Sequence, residues 1–208
     1  MNKQQMEKNM GFDLYGVKPK LKQGSVKPER PDWNNCSDAE KDEYFSAMDK
    51  FEQDNKGYYF RNNVWHWRPL AQYVIEHTKV ITDQKKIDGF NYNDGVEISE
   101  QEAVQIARQL KHLIKTGHTE KYAEEYMAVY TKAKKNNIKV QKELEIFQDA
   151  MDKKHGKDIA PKDYPKEDYE KWNVIYSKFD SNGSYPFHVG NVKEFAEFAE
   201  QSGGFQIC

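Results

Sequence analysis

The chain is poor in cysteine, and this scarcity excludes two kinds of stabilising framework. Its two cysteines, Cys36 and Cys208, are too few for the disulfide network of a small secreted domain. Neither has a partner at the spacing of a structural zinc site. The composition therefore predicts a protein of the reducing cytosol, and a cytoplasmic localisation is expected.

Long apolar runs and an excess of basic residues are also missing. No stretch approaches the roughly 18 apolar residues of a membrane span, and the N-terminus lacks the apolar core of a signal peptide. With a formal charge of −2 and a pI near 6.3, the chain lacks the basic excess of a general nucleic-acid-binding protein. Membrane partners and general nucleic-acid binding are therefore not expected.

Motifs that would dictate a reaction are absent as well. The chain has no Gly-x-Ser-x-Gly elbow, no phosphate-binding glycine loop and no dinucleotide fingerprint. Its six histidines are scattered. The polar loop 88–95 fails the calcium-loop pattern, because Phe90 and Tyr92 would occupy ligand positions. We therefore predict no catalytic residue, no metal site and no cofactor.

The chain does contain clear helical periodicity. The strongest apolar stripe follows Ser99 and Glu102, which form a capping box, and Gly117 is placed to end it. Ser37 and Glu40 form a second capping box. We expect a mainly α protein with a few short extended or β segments, folded as a single compact helical domain over 32–208 behind an extended N-terminal arm over 1–31.

Several local signals predict where the elements begin. Residues 11–16 alternate apolar and polar positions, which is typical of a short strand. A helix start is predicted at Pro69, because proline is favoured in the first helical turn. Asn191 and Glu194 predict the cap of a final helix.

Two segments leave their structure open. Residues 119–155 read either as one long helix or as two helices broken near Asn136 and Asn137. Residues 169–179 are ambiguous between helix and strand, because the run from Val174 to Tyr176 favours β structure.

The most distinctive segment is aromatic. Residues 57–73 hold six aromatic side chains in seventeen, where the average of 13% predicts about two. In a ligand site, arginines would hold an anionic group, asparagines would read donor and acceptor edges, and tryptophans would stack on a ring. The candidate ligand-binding residues are Arg61, Asn62, Asn63, Trp65, Trp67 and Arg68.

Two other interpretations of this segment stay open. The tryptophans could fill the core beneath the helices, with Arg61 and the asparagines tying down a turn. Alternatively, the segment is an aromatic patch for a protein partner, since Trp, Tyr and Arg are favoured interface anchors. His66 lies between Trp65 and Trp67. If the tryptophans share an extended face, His66 points to the other side, where it could act as a general base.

Five motifs together carry a resemblance. They are MGFDLYG at 10–16, YFRNNVWHWRPL at 59–70, NDG at 93–95, PFHVGNVKEF at 186–195 and SGGFQIC at 202–208. In this combination the chain resembles a family of uncharacterised proteins encoded by bacteriophages and bacteria. That family carries three consecutive tryptophans where this chain has His66 in the middle, which disfavours a special catalytic role for His66.

The resemblance implies a cytosolic protein of phage or prophage origin, but it supplies no activity. It further implies that the aromatic segment and the glycine-rich tail belong to one shared core. Residues 32–56 and 119–165 would then be variable helical insertions particular to this chain.

Three function classes follow as hypotheses. The first is a non-enzymatic accessory protein that binds a small anionic or nucleotide-like ligand through the aromatic segment and counteracts a host response. The second is a protein–protein interaction module that docks on a host or virion protein through helices at 119–155; an exposed apolar stripe from Val140 to Met151 would favour it. The third is a nucleotide- or nucleic-acid-processing enzyme, which a deep pocket with converging acidic groups or a bound metal would favour.

Overall fold

The computed structural model describes residues 11–156 and 159–208, and it confirms the mainly α class with a few short strands. The helices are α1 (Asp38–Asp54), α2 (Val64–Thr78), α3 (Gln84–Gly89), α4 (Glu100–Lys115), α5 (His118–His155), α6 (Lys166–Tyr176) and α7 (Val189–Gln201). The strands are β1 (Gly11–Gly16), β2 (Tyr59–Asn63), β3 (Glu97–Ile98) and β4 (Phe205–Ile207). Within the described ranges, no helix has the length and apolarity that a bilayer crossing requires.

The described residues divide into two compact units. The first contains the chain up to Lys121 together with His188–Cys208, and the second is Tyr122–Phe187. Of the predicted arm over 1–31, residues 11–16 form β1 as expected, and residues 1–10 lie outside the described residues.

The sheet of the first unit joins distant parts of the chain. Its strand order is β2-β1-β4-β3, and every neighbouring pair is antiparallel. Strand β1 is therefore an interior strand, with Asp13 opposite Arg61 on one side and Leu14 opposite Ile207 on the other. Asp13 and Cys208 also exchange two backbone hydrogen bonds of 2.8 and 2.9 Å. Segments near residues 11–16, 59–63, 97–98 and 205–207 thus meet in one sheet.

Aromatic rings fill the space between this sheet and α7. The rings of Phe195 and Phe198 lie 5.5 and 5.6 Å from that of Phe60 on β2. Both also contact Phe205 on β4, at 5.7 and 5.5 Å. Each such pair contributes about 0.5–1.5 kcal/mol beyond the burial of its surface. Because the chain is only 37% apolar, these large rings supply much of its buried area.

Three of the predicted signals at helix ends are correct. Both predicted capping boxes are present, at Ser37 with Glu40 and at Ser99 with Glu102. Gly117 adopts a φ of +75°, the left-handed conformation that ends α4 as predicted.

Two predicted helix starts are wrong. Helix α2 begins at Val64 rather than at Pro69, because Asn63 is an efficient N-cap whose side chain accepts a hydrogen bond from the His66 backbone N–H at 3.0 Å. Helix α7 begins at Val189, one turn before the predicted cap, so Asn191 lies inside the helix.

The second unit resolves both ambiguous segments as helix. Helix α5 runs unbroken through its two asparagines, whose side chains instead bind the backbone of the segment after α6. Asn136 donates to the carbonyl of Lys178 at 2.9 Å, and Asn137 both donates to and accepts from the backbone of Asp180. The run ending at Tyr176 is helical although it contains β-favouring residues, which shows how weak such propensities are without a strand partner.

Two glycine substitutions test whether the backbone of Gly203 packs closely against that of Lys18. Gly203 and Gly24 both have positive φ, of +63° and +77°. A Cβ at Gly203 would lie 2.1 Å from the Lys18 carbonyl oxygen, whereas one at Gly24 would meet nothing within 4 Å. Gly24→Ala should therefore cost only about 1–2 kcal/mol for the left-handed conformation, and Gly203→Ala clearly more. Urea unfolding monitored by circular dichroism measures both; equal losses would contradict the close approach.

Candidate functional site

The aromatic segment turns sharply from strand to helix. Strand β2 ends at Asn63, which caps α2, so Trp65 and Trp67 lie on the first two turns of a helix rather than on an extended face. The expectation that His66 points away from a shared tryptophan face therefore no longer holds, because helical residues two apart lie on different sides.

Trp67 is part of the core. It has no exposed surface, and its indole N–H donates to the Phe90 carbonyl at 2.7 Å. Its ring stacks with Phe12 at 5.3 Å and with Phe90 at 5.8 Å, and Phe195 meets it edge-on at 5.9 Å. The interpretation of this tryptophan as core filling fits these contacts better than ligand stacking does.

The two asparagines of the segment are also engaged within the fold. Asn62 is buried, and its side-chain amide donates to the Asn191 side-chain oxygen at 2.6 Å. Asn191 in turn donates to the His66 backbone carbonyl at 3.1 Å. Asn63 accepts the capping hydrogen bond described above. These amides thus fasten β2 and α2 to α7, which satisfies buried polar groups that would otherwise be costly.

The other three predicted site residues are exposed. Arg61 lies 3.6 Å from the carboxylate of Asp13 on the neighbouring strand. Trp65 retains 38% of its surface, and Arg68 is exposed on α2. Of the six residues, Asn62 and Trp67 are buried, whereas Arg61, Asn63, Trp65 and Arg68 are exposed, with Asn63 engaged in the helix cap and Arg61 near Asp13.

Arg61 lines a cavity of about 350 Å³ beside the edge strand β2. The other lining residues are Asp49, Glu52, Gln53, Lys56, Tyr59, Phe60, Glu194, Glu197 and Phe198. Four carboxylates outnumber the two cations, and burial together with nearby Asp49 raises the pKa of Glu52, against a smaller opposing effect of Lys27. Because like charge repels, this cavity disfavours the anionic ligand that we expected Arg61 to hold.

Two histidine pairs lie in the first unit. The rings of His66 and His188 have centroids 4.9 Å apart and are perpendicular. Burial lowers the pKa of His66, and the nearby His188 lowers it further by a smaller amount. The second pair is His77 and His118, also 4.9 Å apart. No group of three or more potential metal ligands occurs among the residues that the structure describes. Neither pair is thus completed by a third ligand of this kind.

His118 of the second pair belongs to a hydrogen-bond network that no local sequence pattern predicts. The buried hydroxyl of Tyr73 lies 3.1 Å from Nδ1 of His118 and 2.9 Å from the hydroxyl of Thr119. These contacts join α2 to the start of α5. Residues 45 positions apart produce them, so no local pattern could have revealed them.

Four aromatic rings form a continuous row on α6 and the residues just after it, which we call the aromatic ladder: Tyr169, Trp172, Tyr176 and Phe179. Adjacent ring centroids are 5.8, 4.8 and 5.8 Å apart. The planes of Trp172 and Tyr176 differ by only 14°. Tyr169, Tyr176 and Phe179 keep between 40% and 50% of their surface exposed. Contiguous exposed rings of this kind mark interaction sites more often than ordinary surface.

The ladder borders an open groove of about 610 Å³, the ladder groove. Its lining residues are Gln141, Leu144, Gln148, Pro161, Trp172, Tyr176, Ser177, Phe179, Ser181 and Ser184. None of them carries a charge, although 32% of the chain is charged. The groove therefore combines ring edges with neutral amide and hydroxyl groups.

A buried carboxylate holds the first turn of the ladder helix. Asp168 has a side chain only 4% exposed, and its Oδ2 atom lies 2.8 Å from Lys154 Nζ and 2.9 Å from His155 Nε2 at the end of α5. Hydrogen bonds from Lys154 and His155 lower the pKa of Asp168 to about 2, against the opposing effect of burial. This anchor fixes the start of α6, and the bonds of Asn136 and Asn137 hold the segment that follows it.

The apolar stripe from Val140 to Met151, whose exposure would have favoured docking through helices at 119–155, is largely packed within the second unit, which disfavours that surface. Val140 and Met151 are buried at its two ends, and Leu144 and Phe147 are half-buried. The ladder was missed as a surface, although its spacing of three, four and three residues was readable. That spacing identifies one face only if the segment is helical, which the β-favouring residues had left open.

The chain matches no protein-family model, and no curated protein or solved structure is significantly similar to it. The resemblance to phage-encoded proteins therefore stays a prediction.

Substitutions of Trp67 and Trp65 test which of the two tryptophans belongs to the core. Trp67→Phe should lower the free energy of unfolding by about 2 kcal/mol or more, because it leaves the buried Phe90 carbonyl unpaired and opens a void. Trp65→Phe, at the exposed position, should change it by less than about 0.5 kcal/mol. Chemical denaturation measures both. If the two losses were equal, Trp67 would not be the buried anchor described.

The Asp168 anchor predicts a defined pH dependence. Because its pKa is depressed in the folded protein, the stabilisation is fully present above about pH 4 and is lost as the pH falls through about 2. Asp168→Asn should therefore lower the Tm at pH 7, and the difference from the wild type should shrink between pH 4 and 2. Asp163→Asn, at an exposed position, is the control. A Tm difference that persists unchanged at pH 2 would contradict an ionic anchor.

Proposed function

We propose that this protein is a non-enzymatic interaction module that binds a partner protein through the aromatic ladder and its groove. The observation that carries the proposal is the row of four contiguous rings, three exposed and one half-buried, beside a groove without charged lining residues. Aromatic side chains provide large contact areas at low cost in conformational entropy, because they have only two rotatable side-chain bonds.

The ladder is held rigid before any partner arrives. Asp168 fixes the first turn of α6, and each ring is braced by the next along the row. Ordering side chains on binding costs roughly 0.5–1.5 kcal/mol each, and rings that already stack avoid much of this cost. The exposed ladder rings do not form the core of the second unit, because buried residues such as Val140, Met151 and Tyr164 fill that core.

The small-ligand hypothesis has less support. Three of its six residues, Asn62, Asn63 and Trp67, are engaged in capping, hydrogen bonding or the core. The cavity beside Arg61 is predominantly acidic, which suits a cation rather than a nucleotide. Converging acidic groups are also the feature named as favouring an enzyme with His66 or a carboxylate as base. His66 does not line the cavity, whereas Glu52, whose pKa is raised by burial and by Asp49, does.

The setting of the proposed interaction follows from the sequence alone. If the chain is of phage or prophage origin, as its motifs suggest, it would act in the host cytosol, and its partner would be a host or virion protein. Counteracting a host response is one use of such binding.

A peptide display experiment tests the proposal. The immobilised wild-type protein should enrich binding peptides from a random library. The enrichment should be lost in the Trp172→Ala/Tyr176→Ala double variant and kept in Val174→Ala, which removes an apolar side chain, 63% exposed, from the opposite side of α6. Each pool is sequenced, and circular dichroism checks that the variants fold.

If the double variant does not fold, Phe179→Ala replaces it, because Phe179 lies beyond the end of α6. Enrichment that survives every ladder substitution, or no enrichment by the wild type, would overturn the proposal.

A further inference from the structure

The lining of the ladder groove specifies the chemistry of the segment that enters it. Resting on the proposed function, we infer that the groove takes an uncharged, proline-rich segment of the partner in the polyproline II conformation. Charge, ring geometry and hydrogen-bonding capacity support this assignment independently.

The absence of charged lining residues disfavours a charged occupant. A lysine or carboxylate entering the groove would lose hydration without gaining an opposite charge, and such burial is costly. The charges closest in sequence to Ser177 and Phe179 already have partners. Lys178 pairs with Glu143 at 2.6 Å, and the Asp180 carboxylate accepts hydrogen bonds from the Asn182 backbone and side-chain N–H groups at 3.0 and 2.9 Å. The groove therefore selects a segment whose side chains are neutral.

Neighbouring rings of the ladder cover part of one another's faces. Trp172 and Tyr176 stack almost parallel at 4.8 Å, so each covers part of a face of the other. Sugar rings bind best on open aromatic faces, whereas a ridged aromatic surface accepts the compact rings of proline, as in known proline-rich recognition. The ring arrangement thus favours a peptide over a neutral oligosaccharide.

The length of the ladder matches one turn of a polyproline II helix. Tyr169 and Tyr176 are seven residues apart on α6, which is about 10 Å at 1.5 Å per residue. A polyproline II helix advances 3.1 Å per residue with three residues per turn, or about 9 Å per turn. One turn of such a ligand therefore matches the span of the three rings on the helix. Trp172 and Tyr176 line the groove, Tyr169 stacks on Trp172 outside the lining, and Phe179 extends the lining beyond the helix.

The polar lining groups complement proline's backbone. A proline residue has a carbonyl to accept hydrogen bonds but no N–H to donate. The groove offers side-chain donors in the amides of Gln141 and Gln148 and the hydroxyls of Ser181 and Ser184. The Ser177 hydroxyl already donates to the Val174 carbonyl at 2.9 Å. The Gln141 amide donates one N–H to the Glu145 carboxylate at 3.2 Å and has a second N–H. These groups can donate hydrogen bonds to the carbonyl oxygens of the ligand, and the ligand needs no backbone N–H to take part in them.

Three probes of different chemistry test the inference. The first is a blocked decaproline, the second is a blocked proline peptide of the same length with lysine at every third position, and the third is a neutral glucose hexasaccharide. Each is titrated into ¹⁵N-labelled protein while the indole N–H signal of Trp172 is followed. We expect decaproline to shift this signal with at least tenfold higher affinity than either competitor.

The variants separate ladder binding from binding elsewhere. The Kd of decaproline should rise at least tenfold in Tyr176→Ala and stay within twofold of the wild type in Val174→Ala. No decaproline binding at millimolar concentration, equal binding by Tyr176→Ala, or preferred binding of the charged peptide or the sugar would overturn the inference.

The failures of the two proposals are distinguishable. If display yields peptides that depend on the ladder but lack proline, the interaction module stands and the polyproline assignment fails. If neither display nor titration shows binding that depends on the ladder, both fail.

Discussion

Pairing of β1 on both sides is the constraint on which the first unit depends. The strand brings β2, with the aromatic segment behind it, and β4, with the chain's last residues, into one sheet. Helix α7 precedes β4 by a short glycine turn and is thereby placed over the sheet, where its rings meet Phe60 and Trp67. Without β1, strands β2 and β4 would not be joined, and the aromatic core would lack the sheet against which it packs. The hydrogen bond between the Asn62 and Asn191 side chains then holds α7 in register with β2.

What the sequence made predictable was local. The caps at Ser37 and Ser99 and the glycine end of α4 depend on residues within one helical turn, and all were correct. The start of α2 was predicted wrongly, for one local and one distant reason. It is set by Asn63 as cap and by the burial of Trp67 against Phe90, a partner more than twenty residues away. Long-range contacts decide such competitions between signals, and no pattern of neighbouring residues reports them.

The candidate site divides in the same manner. The aromatic segment drew attention because of its composition, but composition does not distinguish rings that pack from rings that bind. In the first unit, Trp67 is enclosed by partners from three other elements. In the second unit, Trp172 and Tyr176 contact chiefly each other and their neighbours in the row. The same residue types thus pack the core in one unit and form part of the accessible surface in the other. This difference appears only when the fold is known.

The neutrality of the ladder groove has a kinetic consequence. Oppositely charged surfaces accelerate encounter by steering partners together, whereas neutral surfaces associate at roughly 10⁵–10⁶ M⁻¹s⁻¹. A groove without charged lining residues gains none of that acceleration. Its encounters would be slow and nearly indifferent to ionic strength. The residence time of the complex, rather than its rate of formation, would then determine how tightly a partner is held.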